Sequence, residues 1–474
     1  MMIHPKHHLS GTNFVSSLAL ALILLTSCQV GPKYTKPGVD IPGEYRGLTS
    51  GASQTAEAVP LGDRKWTEIF QDEQLQKLIQ TALQQNYDMR IAAVRILQAE
   101  AQLGITRADR LPTVAGTAEM SSLRIAKSQF PEFSNSQGGL GLAVAWEMDF
   151  WGKFRRATEA ARASLLMSEW ARRAVTSTLI ADVSTAYFHL RELDMELAIA
   201  QRTLASRRES LRLIRDLSDQ GLVSLVDVRQ AEQLTYTAAA SIPDIQRRIE
   251  QEENLISVLL GNNPGAVPRG RILTDQPHAP EVPVGLPSSL LERRPDIRQA
   301  EQQLIAFNAR IGVAKAAYFP QITLTGSGGF QSSALVHLFS GPAGMWNLVG
   351  GLTQPIFSGG RIRSGVQFAE AQQQEALLVY QQAIRQAFRE VSDALVAYRR
   401  NQEFREQQEL LTQSAREASE LADTRYKGGL TNYLEVLTNQ ANYFTAELGL
   451  AQAHLAELQA LVQLYRALGG GWEP

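Results

Sequence analysis

The chain has few of the residues that hold disulfide-bonded proteins and metal sites together. It contains one cysteine, Cys28, and seven histidines in 474 residues. One cysteine excludes a disulfide framework and a thiolate metal cluster within the chain. Neither charge sign is in excess, because 46 lysines and arginines stand against 48 aspartates and glutamates. The net charge of −2 argues against a nucleic-acid partner, since such proteins usually carry a basic excess.

Catalytic and phosphate-binding motifs are also missing. The sequence has no H-E-x-x-H, no Walker phosphate loop and no G-x-S-x-G elbow. Glu147 and Asp149 alternate along one segment and could pass for a catalytic carboxylate pair, but we interpret them as charges of a wet lumen or a barrel rim. No catalytic, cofactor-binding or metal-binding residue is predicted, and the chain is not expected to be an enzyme.

The N-terminus resembles the signal of a bacterial lipoprotein. An apolar run at residues 14–25 is too short to span a bilayer as a helix but suits a signal peptide of residues 1–27. It leads into Cys28 through Leu25-Thr26-Ser27, which resembles a lipobox. The resemblance implies S-diacylglycerol and N-palmitoyl groups on Cys28 as the only covalent addition. An ordinary signal peptide with a chance cysteine, or a buried thiol, would be the alternatives. Gln29, rather than aspartate, then favours the outer membrane of a Gram-negative cell.

The sequence repeats itself at a shift of 208 residues. Gly104 and Pro112 fall on Gly312 and Pro320, and other glycines and prolines coincide in the same way. Because these residue types punctuate backbone structure, the matches indicate two structural halves. The predicted organisation is a lipidated tether at 28–64, a first repeat at 65–260, a Pro/Gly-rich surface linker at 261–288, a second repeat at 289–468 and a tail at 469–474.

Each half contains a long stretch of helix-compatible sequence. Residues 153–220 and 366–427 contain no glycine or proline. Each stretch would measure about 90–100 Å as a continuous helix, which is typical of coiled coils. Each ends at a glycine turn, at Gly221 or Gly429, and the helical pattern then resumes. Each half is therefore predicted to hold a coiled-coil helical hairpin whose tip lies near that glycine.

Other segments alternate with the period of a β-strand. Between residues 140 and 150 the even positions are apolar and the odd positions are small or acidic. Strands are predicted at about 113–122, 139–150, 321–330 and 346–357. A soluble sandwich would alternate in the same way, but aromatic residues at the strand ends and the lipoprotein-like start favour a membrane β-barrel. Its lipid-facing residues would be Leu140, Leu142, Val144, Trp146 and Met148.

Four strands are too few for a transmembrane barrel, since the smallest need about eight and open edges are not tolerated in hydrocarbon. The chain is therefore expected to form a homotrimer in outer membrane lipid. Three copies would supply about twelve strands, enough to leave a polar lumen.

Further motifs resemble those of the bacterial outer membrane factor family, the efflux and secretion channels. The first-half motif comprises Trp66, Phe70, Asp72, Leu75, Leu78, Ala82, Leu83 and Asn86. The others are Leu259-Leu260-Gly261, Glu292-Arg293-Arg294-Pro295-Asp296-Ile297, Arg425-Tyr426 and Tyr433-Leu434-Glu435-Val436. Because of its lipobox, the chain resembles most the nodulation-type lipoprotein branch of multidrug efflux channels.

The resemblance implies an α+β membrane channel with two tandem repeats per chain. Its trimer would form a 12-stranded β-barrel continued by a periplasmic α-helical tunnel. The channel would passively carry drugs or other small toxic molecules from a periplasmic adaptor (a membrane fusion protein) and an inner-membrane pump, of the resistance-nodulation-division type, to the exterior. A type I secretion channel for proteins, or a non-conducting periplasmic lipoprotein scaffold or adaptor, is the alternative. Adaptors have one hairpin, whereas this chain is predicted to have two.

The hairpin tips are the predicted periplasmic gate, because threefold symmetry would bring three copies of each tip towards the pore axis. A ring of like charges there would select cations. Relatives often carry an acidic residue where this chain has Thr431, so its gate is expected to differ in detail. The candidate gate residues are Asp216, Asp219, Arg425, Tyr426 and Glu435.

Overall fold

The computed structural model describes residues 29–43, 45, 59–125, 133–276 and 287–472, so Cys28 and the signal segment lie outside the described residues. The first repeat comprises α1 (Trp66–Ile69), α2 (Glu73–Gln85), α3 (Tyr87–Ala108), β1 (Thr113–Ile125), β2 (Phe133–Met148), α4 (Lys153–Asp219) and α5 (Leu225–Leu259). The second comprises α6 (Pro287–Arg293), α7 (Pro295–Ala316), β3 (Gln321–Ser332), β4 (Gly344–Thr353), α8 (Arg361–Lys427) and α9 (Tyr433–Ala467). No helix within these ranges is both long enough and apolar enough to cross a membrane.

The long helices of the two repeats match in length. Helices α4 and α8 each have 67 residues, and α5 and α9 each have 35. The first residues of α4 and α8, Lys153 and Arg361, lie 208 positions apart, which is the shift found in the sequence. Gly365 lies inside α8 and Pro243 inside α5, so these helices run through residues that often end a helix. The structure thus contains two helical hairpins built to one plan.

The chain folds as two compact units. One contains the strands, with the described residues of 29–38, 96–168 and 300–380. The other contains residues 39–95, 169–299 and 381–474, and with them both hairpin tips.

The strands form one antiparallel sheet in the order β1-β2-β3-β4. Val144 lies opposite Val114 on one side and opposite Gly326 on the other, so even-numbered residues of all four strands share one face. That face carries the large apolar side chains, including all five predicted lipid-facing residues of β2. The opposite face carries mostly small and polar side chains, among them Thr117, Glu119, Gln137, Ser327 and Asn347, although Leu123, Met345 and Val349 also lie on it.

Two strands end earlier than the alternation predicts. β2 covers Phe133–Met148 rather than 139–150, and β4 covers Gly344–Thr353 rather than 346–357. β2 stops because the Asp149 carboxylate accepts the backbone N–H groups of Phe154 and Arg155, at 3.0 and 2.8 Å, and so begins α4. β4 stops before Pro355, which has no N–H for a ladder bond. β2 also begins earlier than predicted because its polar start, which includes Ser136, still pairs with β1.

The described residues after Cys28 are extended and are held by hydrogen bonds. The Val30 N–H donates to the Trp151 carbonyl at 3.1 Å, and the Arg156 guanidinium donates to the Val30 and Gly31 carbonyls at 3.2 and 3.1 Å. Asn308 donates to the Pro32 carbonyl at 3.2 Å. The start of the predicted tether is therefore fixed to the strand-containing unit rather than free.

Corresponding residues of the two repeats cap the last helix of each repeat. The Asn86 side-chain amide donates to the Leu259 carbonyl of α5 at 2.9 Å. Arg294, which lies 208 positions later, donates to the Ala467 carbonyl of α9 at 3.1 Å. Arg294 is also bound by Asp296 at 2.6 Å and by Glu390 at 2.7 Å. These contacts explain in physical terms why the Asn86 and Arg294 positions belong to the sequence motifs.

Asp72 is the centre of a buried hydrogen-bond network. Its side chain is 1% exposed and accepts from five donors: Gln74 N, Leu75 N, Tyr187 OH, Arg271 N and Gln276 Nε2. Burial alone would raise the pKa of Asp72, but the hydrogen bonds outweigh it and lower that pKa below its usual range.

This network anchors the segment 261–288, for which the sequence predicts a surface linker. Most of its described residues are exposed, as that prediction requires, but Val267, Leu273 and Gln276 are at most 4% exposed. Arg271 N and Gln276 Nε2 both bind the Asp72 carboxylate, each at 2.9 Å. The segment therefore packs on the first repeat, because a buried carboxylate needs its donors.

Glu192 on α4 provides a pH-dependent prediction. It is 1% exposed, and its Oε2 atom has no hydrogen-bond partner among the described residues. Burial and the neighbouring carboxylate of Glu196 raise the pKa of Glu192, although Arg248 opposes the shift. The folded chain therefore holds a proton that the unfolded chain releases near pH 4.5, and stability should fall as the pH rises above that value.

Glu192→Gln is accordingly expected to raise the free energy of unfolding by about 1–3 kcal/mol at pH 8 and much less at pH 5. Thermal unfolding of the purified protein at both pH values measures the difference. Glu250→Gln, on an exposed position of α5, is the matched control and should have little effect at either pH. If Glu192→Gln raised the free energy of unfolding equally at pH 5 and pH 8, Glu192 would not be protonated in the folded wild type.

Candidate functional site

Both helical hairpins turn through the same backbone motif. Gly221 and Gly429 have φ values of +75° and +72° and follow the last residues of α4 and α8 closely. Leu222 N donates to the Leu217 carbonyl, and Leu430 N donates to the Arg425 carbonyl, each at 2.9 Å. This is the Schellman arrangement, which needs a left-handed residue and therefore favours glycine. Both turns lie at the glycines where the sequence predicts them.

An apolar cluster joins the two tips. Tyr433, Val436 and Leu437 of α9 are at most 6% exposed and pack with residues from the other three long helices. Those residues are Leu211, Ile214, Val228, Ala231 and Ala422. The four helix ends are thus one packed unit rather than two independent hairpins.

Polar contacts at the surface of this cluster are few and exposed. Arg425 Nη1 lies 3.7 Å from Glu435 Oε1, with the two side chains 55% and 36% exposed. The Thr431 hydroxyl donates to the other carboxylate oxygen of Glu435. At the position where relatives often have an acidic residue, Thr431 instead donates a hydrogen bond to the acidic residue four positions later, Glu435.

Tyr426 and Tyr433 form the aromatic part of the tip. Their ring centroids lie 5.2 Å apart, and Tyr426 packs against the edge of the apolar cluster. Burial, together with the charge of Asp227, raises the pKa of Tyr426. Burial and three acidic or phenolic neighbours raise the pKa of Tyr433 to about 12. Both hydroxyl groups are consequently neutral at physiological pH.

The structure does not group all five candidate gate residues within one chain. Arg425, Tyr426 and Glu435 lie together at the turn between α8 and α9. Asp216 and Asp219 are exposed at the end of α4, and neither forms an ion pair with a described residue. Asp227 is engaged as a helix cap, since its carboxylate accepts from Ser224 N at 3.0 Å.

The other acidic pair singled out in the sequence has local partners. Lys153 donates to Glu147 at 2.9 Å, while Asp149 caps α4 and contacts Arg155. The two carboxylates therefore have separate partners at the end of β2. Among the described residues there is no cluster of His, Cys, Asp and Glu able to hold a metal ion.

Comparison with known proteins decides the family. The family model for outer membrane efflux proteins matches residues 78–262 and 286–470, one match for each repeat. The chain belongs to the outer membrane efflux protein family. It is 36% identical over 466 residues to the probable efflux pump outer membrane protein TtgC of Pseudomonas putida, covering 97% of this chain and 96% of that one. It is 33% identical over 456 residues to the cation efflux system protein CusC of Escherichia coli, covering 95% and 97%.

Solved structures of outer membrane channels have the same fold. The open state of the Neisseria gonorrhoeae channel MtrE superposes with a TM-score of 0.85 at 32% identity, covering 94% of this chain and 99% of that one. A CusC structure gives 0.85 at 31% identity, covering 94% and 100%.

These matches confirm the resemblance to the outer membrane factor family and the fold class drawn from it. The chain is an efflux channel of the outer membrane, with two repeats and a four-stranded share of a trimeric barrel. Among the described strands, β1 and β4 each pair on one side only, which leaves the two edges that neighbouring copies close.

One buried polar residue of the efflux channel, Arg207, could not be predicted from the sequence. It is 4% exposed on α4, although it lies in a stretch rich in arginine and serine that is typical of a solvated helix surface. Nothing in the local sequence distinguishes it from the exposed Arg208 beside it. Only the packing of α4 against α5 and α9 buries it.

Proposed function

We propose that this channel is the exit duct of a three-part efflux system and passively releases small toxic organic molecules. Its partners would be a periplasmic adaptor of the membrane fusion type and an inner-membrane pump of the resistance-nodulation-division type. The observation that carries the proposal is the pair of hairpin tips, which an apolar cluster packs together and which have only weak, exposed polar contacts at the surface of the second tip. A partner can replace such contacts at little cost, whereas a rigid closed tip would need a larger rearrangement.

The organic substrate class is supported by the names of relatives. Two Pseudomonas putida proteins that are each 36% identical to this chain are an antibiotic efflux pump outer membrane protein and a toluene efflux pump outer membrane protein. The named cation efflux relative is 33% identical. Passive conduction is supported by the absence of a phosphate-binding motif from the sequence, so that energy would come from the pump.

The gate of this duct would lie at the tips, with Arg425, Tyr426 and Glu435 from one turn and Asp216 and Asp219 from the other. An exposed ion pair such as Arg425–Glu435 contributes only about 0.2–1 kcal/mol. In the proposed trimer, contacts of similar strength between the three tips would keep the gate shut and still give way when an adaptor binds.

If the gate lies at the tips, removing their polar contacts should increase the conductance of the channel. A channel with Arg425→Gln and Glu435→Gln should show a larger single-channel conductance in planar bilayers than the wild type, because the polar contacts at the tip are lost. Cells that carry it should become more sensitive to large antibiotics added from outside. Arg247→Gln with Asp244→Asn removes a comparably exposed ion pair from the side of α5 and should change neither readout. Unchanged conductance in the tip variant, with the trimer intact, would place the constriction elsewhere.

Substrate class can be tested separately from gating. Deleting the gene should lower the concentrations of antibiotics and organic solvents that the cells survive, and restoring it should reverse the effect. Loss of a secreted protein from the medium, with unchanged tolerance to these compounds, would favour a type I secretion channel instead.

A lipid anchor at Cys28 is a further part of the proposal. It is supported by Leu25-Thr26-Ser27-Cys28 after the short apolar run, and by the hydrogen bonds that fix the following residues, Val30 to Pro32, to the strand-containing unit. Acyl chains at that point would add hydrocarbon contacts of about 0.8 kcal/mol per buried methylene. Cells fed a palmitate analogue should label the wild-type protein, while Cys28→Ser should carry no label. Equal labelling of both proteins would exclude Cys28 as the acylated residue.

A further inference from the structure

A groove in the hairpin-containing unit is lined by three of its long helices. It has a volume of about 420 Å³ and lies among α4, α8 and α9. Its charged lining residues are Arg202, Arg207, Arg416, Glu420 and Glu447. A volume of this size lies within the range of small-molecule sites in proteins.

Arg207 is the unusual member of this lining. Its side chain is 4% exposed, its Nη1 donates to the Leu234 carbonyl at 2.7 Å, and its Nε has no partner among the described residues. The guanidinium carbon lies 5.0 Å from the centre of the Phe444 ring. No carboxylate of the described chain forms an ion pair with it, and burial lowers the pKa of Arg207 without an opposing acidic neighbour. A buried charge without a counter-ion is costly, so proteins rarely keep one that serves no purpose.

The remaining charges of the groove are already paired. Arg202 binds Glu447, which also accepts from the Tyr443 hydroxyl at 2.9 Å. Arg416 binds Glu420 at 2.8 Å. Three arginines and two glutamates leave one positive charge over, and that charge belongs to Arg207. A ligand with a single negative charge would neutralise the groove.

We propose that this groove binds a small organic monocarboxylate through Arg207. The planar guanidinium fork matches a carboxylate better than it matches a point charge. The hydroxyl groups of Thr203, Ser206 and Ser419 offer further donors, and the rings of Tyr443 and Phe444 offer a wall for an apolar body. This site is separate from the tip contacts of Arg425 and Glu435 and does not depend on the gate proposed above.

Benzoate is a suitable probe because it combines one carboxylate with one apolar ring. It should bind the purified wild-type trimer saturably in equilibrium dialysis and raise its unfolding temperature. Benzyl alcohol, which has a similar ring and no charge, should do neither. Arg207→Met removes the charge but keeps an apolar stem, and it should weaken benzoate binding at least tenfold. Arg208→Met, on the exposed neighbouring position, is the matched control and should bind like the wild type.

Crystals of the wild-type protein grown with 4-bromobenzoate provide a test that needs no variant. An anomalous bromine peak between α4 and α9, with the carboxylate at Arg207, would support the site. No saturable binding to the wild type, or equal binding to Arg207→Met, would overturn it. If Arg207→Met does not fold, Arg207→Lys keeps the charge without the fork and should bind benzoate more weakly than the wild type. Binding of the lysine variant at wild-type strength would overturn the role of the guanidinium.

Discussion

Replacing Asp72 by alanine is expected to lower the free energy of unfolding by about 3–5 kcal/mol, because it leaves buried donors without an acceptor. Tyr187 OH, Arg271 N and Gln276 Nε2 all converge on one carboxylate oxygen at 2.8–2.9 Å. The variant also loses the cap of α2, where Gln74 N donates to the other oxygen at 2.9 Å. Unfolding of the detergent-solubilised trimer, followed by circular dichroism, measures the loss.

The control for Asp72 is Asp88→Ala, which removes an exposed carboxylate from the first turn of α3 and should cost less than about 1 kcal/mol. Lowering the pH should reduce the difference in the free energy of unfolding between the Asp72→Asn variant and the wild type. The lowered pKa of Asp72 means that its stabilisation is complete above the unfolded-state value of 3.8 and is lost as the pH falls through the folded-state value. A loss below 1 kcal/mol in Asp72→Ala at pH 7 would show that the network is dispensable.

Arginine at Val144 should destabilise the barrel by about 2–4 kcal/mol if the even-numbered face of the sheet meets the lipid near the bilayer midplane. Val144 lies between Val114 and Gly326, on the face that also carries Leu140 and Leu142. A guanidinium there would displace hydrocarbon contacts and must reach towards a headgroup or draw in water. Urea unfolding of the protein in lipid vesicles measures the cost.

The adjacent residue gives a matched comparison for this substitution. Ala143 lies opposite Ala115 and Ser327 on the small and polar face, so Ala143→Arg should be clearly milder. Both variants introduce the same side chain one residue apart in one strand. A greater loss in Ala143→Arg would mean that the sheet faces the lipid with its odd-numbered residues, and that Glu147 does not face a wet lumen.

Much of the fold can be predicted from the sequence because it rests on local and repeated signals. The glycines at 221 and 429 are needed for left-handed turns, and two long glycine- and proline-free stretches leave helix as the main choice. The alternation of apolar and small residues correctly predicted which residues of β2 share a face of the sheet, because side chains alternate between the two faces of a strand.

Strand ends and burial depend on contacts that the sequence pattern does not show, so they were predicted less well. Asp149 ends β2 by capping a helix, which the alternating pattern at 147–150 does not reveal. The linker near Gln276 looks like a surface segment because its composition is rich in proline, yet the Asp72 carboxylate from 204 residues away binds it. Arg207 on α4 is buried through its contacts with Leu234 of α5 and Phe444 of α9. The Asp149 cap is a local contact that overrides the strand pattern, whereas the contacts at Gln276 and Arg207 join segments far apart in the sequence.

The matching helical hairpins of the two repeats also carry a consequence for symmetry and descent. An ancestor of one repeat would have supplied two strands and one hairpin, and six copies would have been needed for the strands that three chains now provide. Tandem duplication lowers a sixfold ring to a threefold one, and it releases the two hairpin tips from having to be identical. They have diverged: Ser224 and Asp227 cap one turn reciprocally, whereas Asn432 and the Thr431–Glu435 contact serve the other. A partner made of six equal subunits would therefore meet two kinds of tip in alternation around the ring.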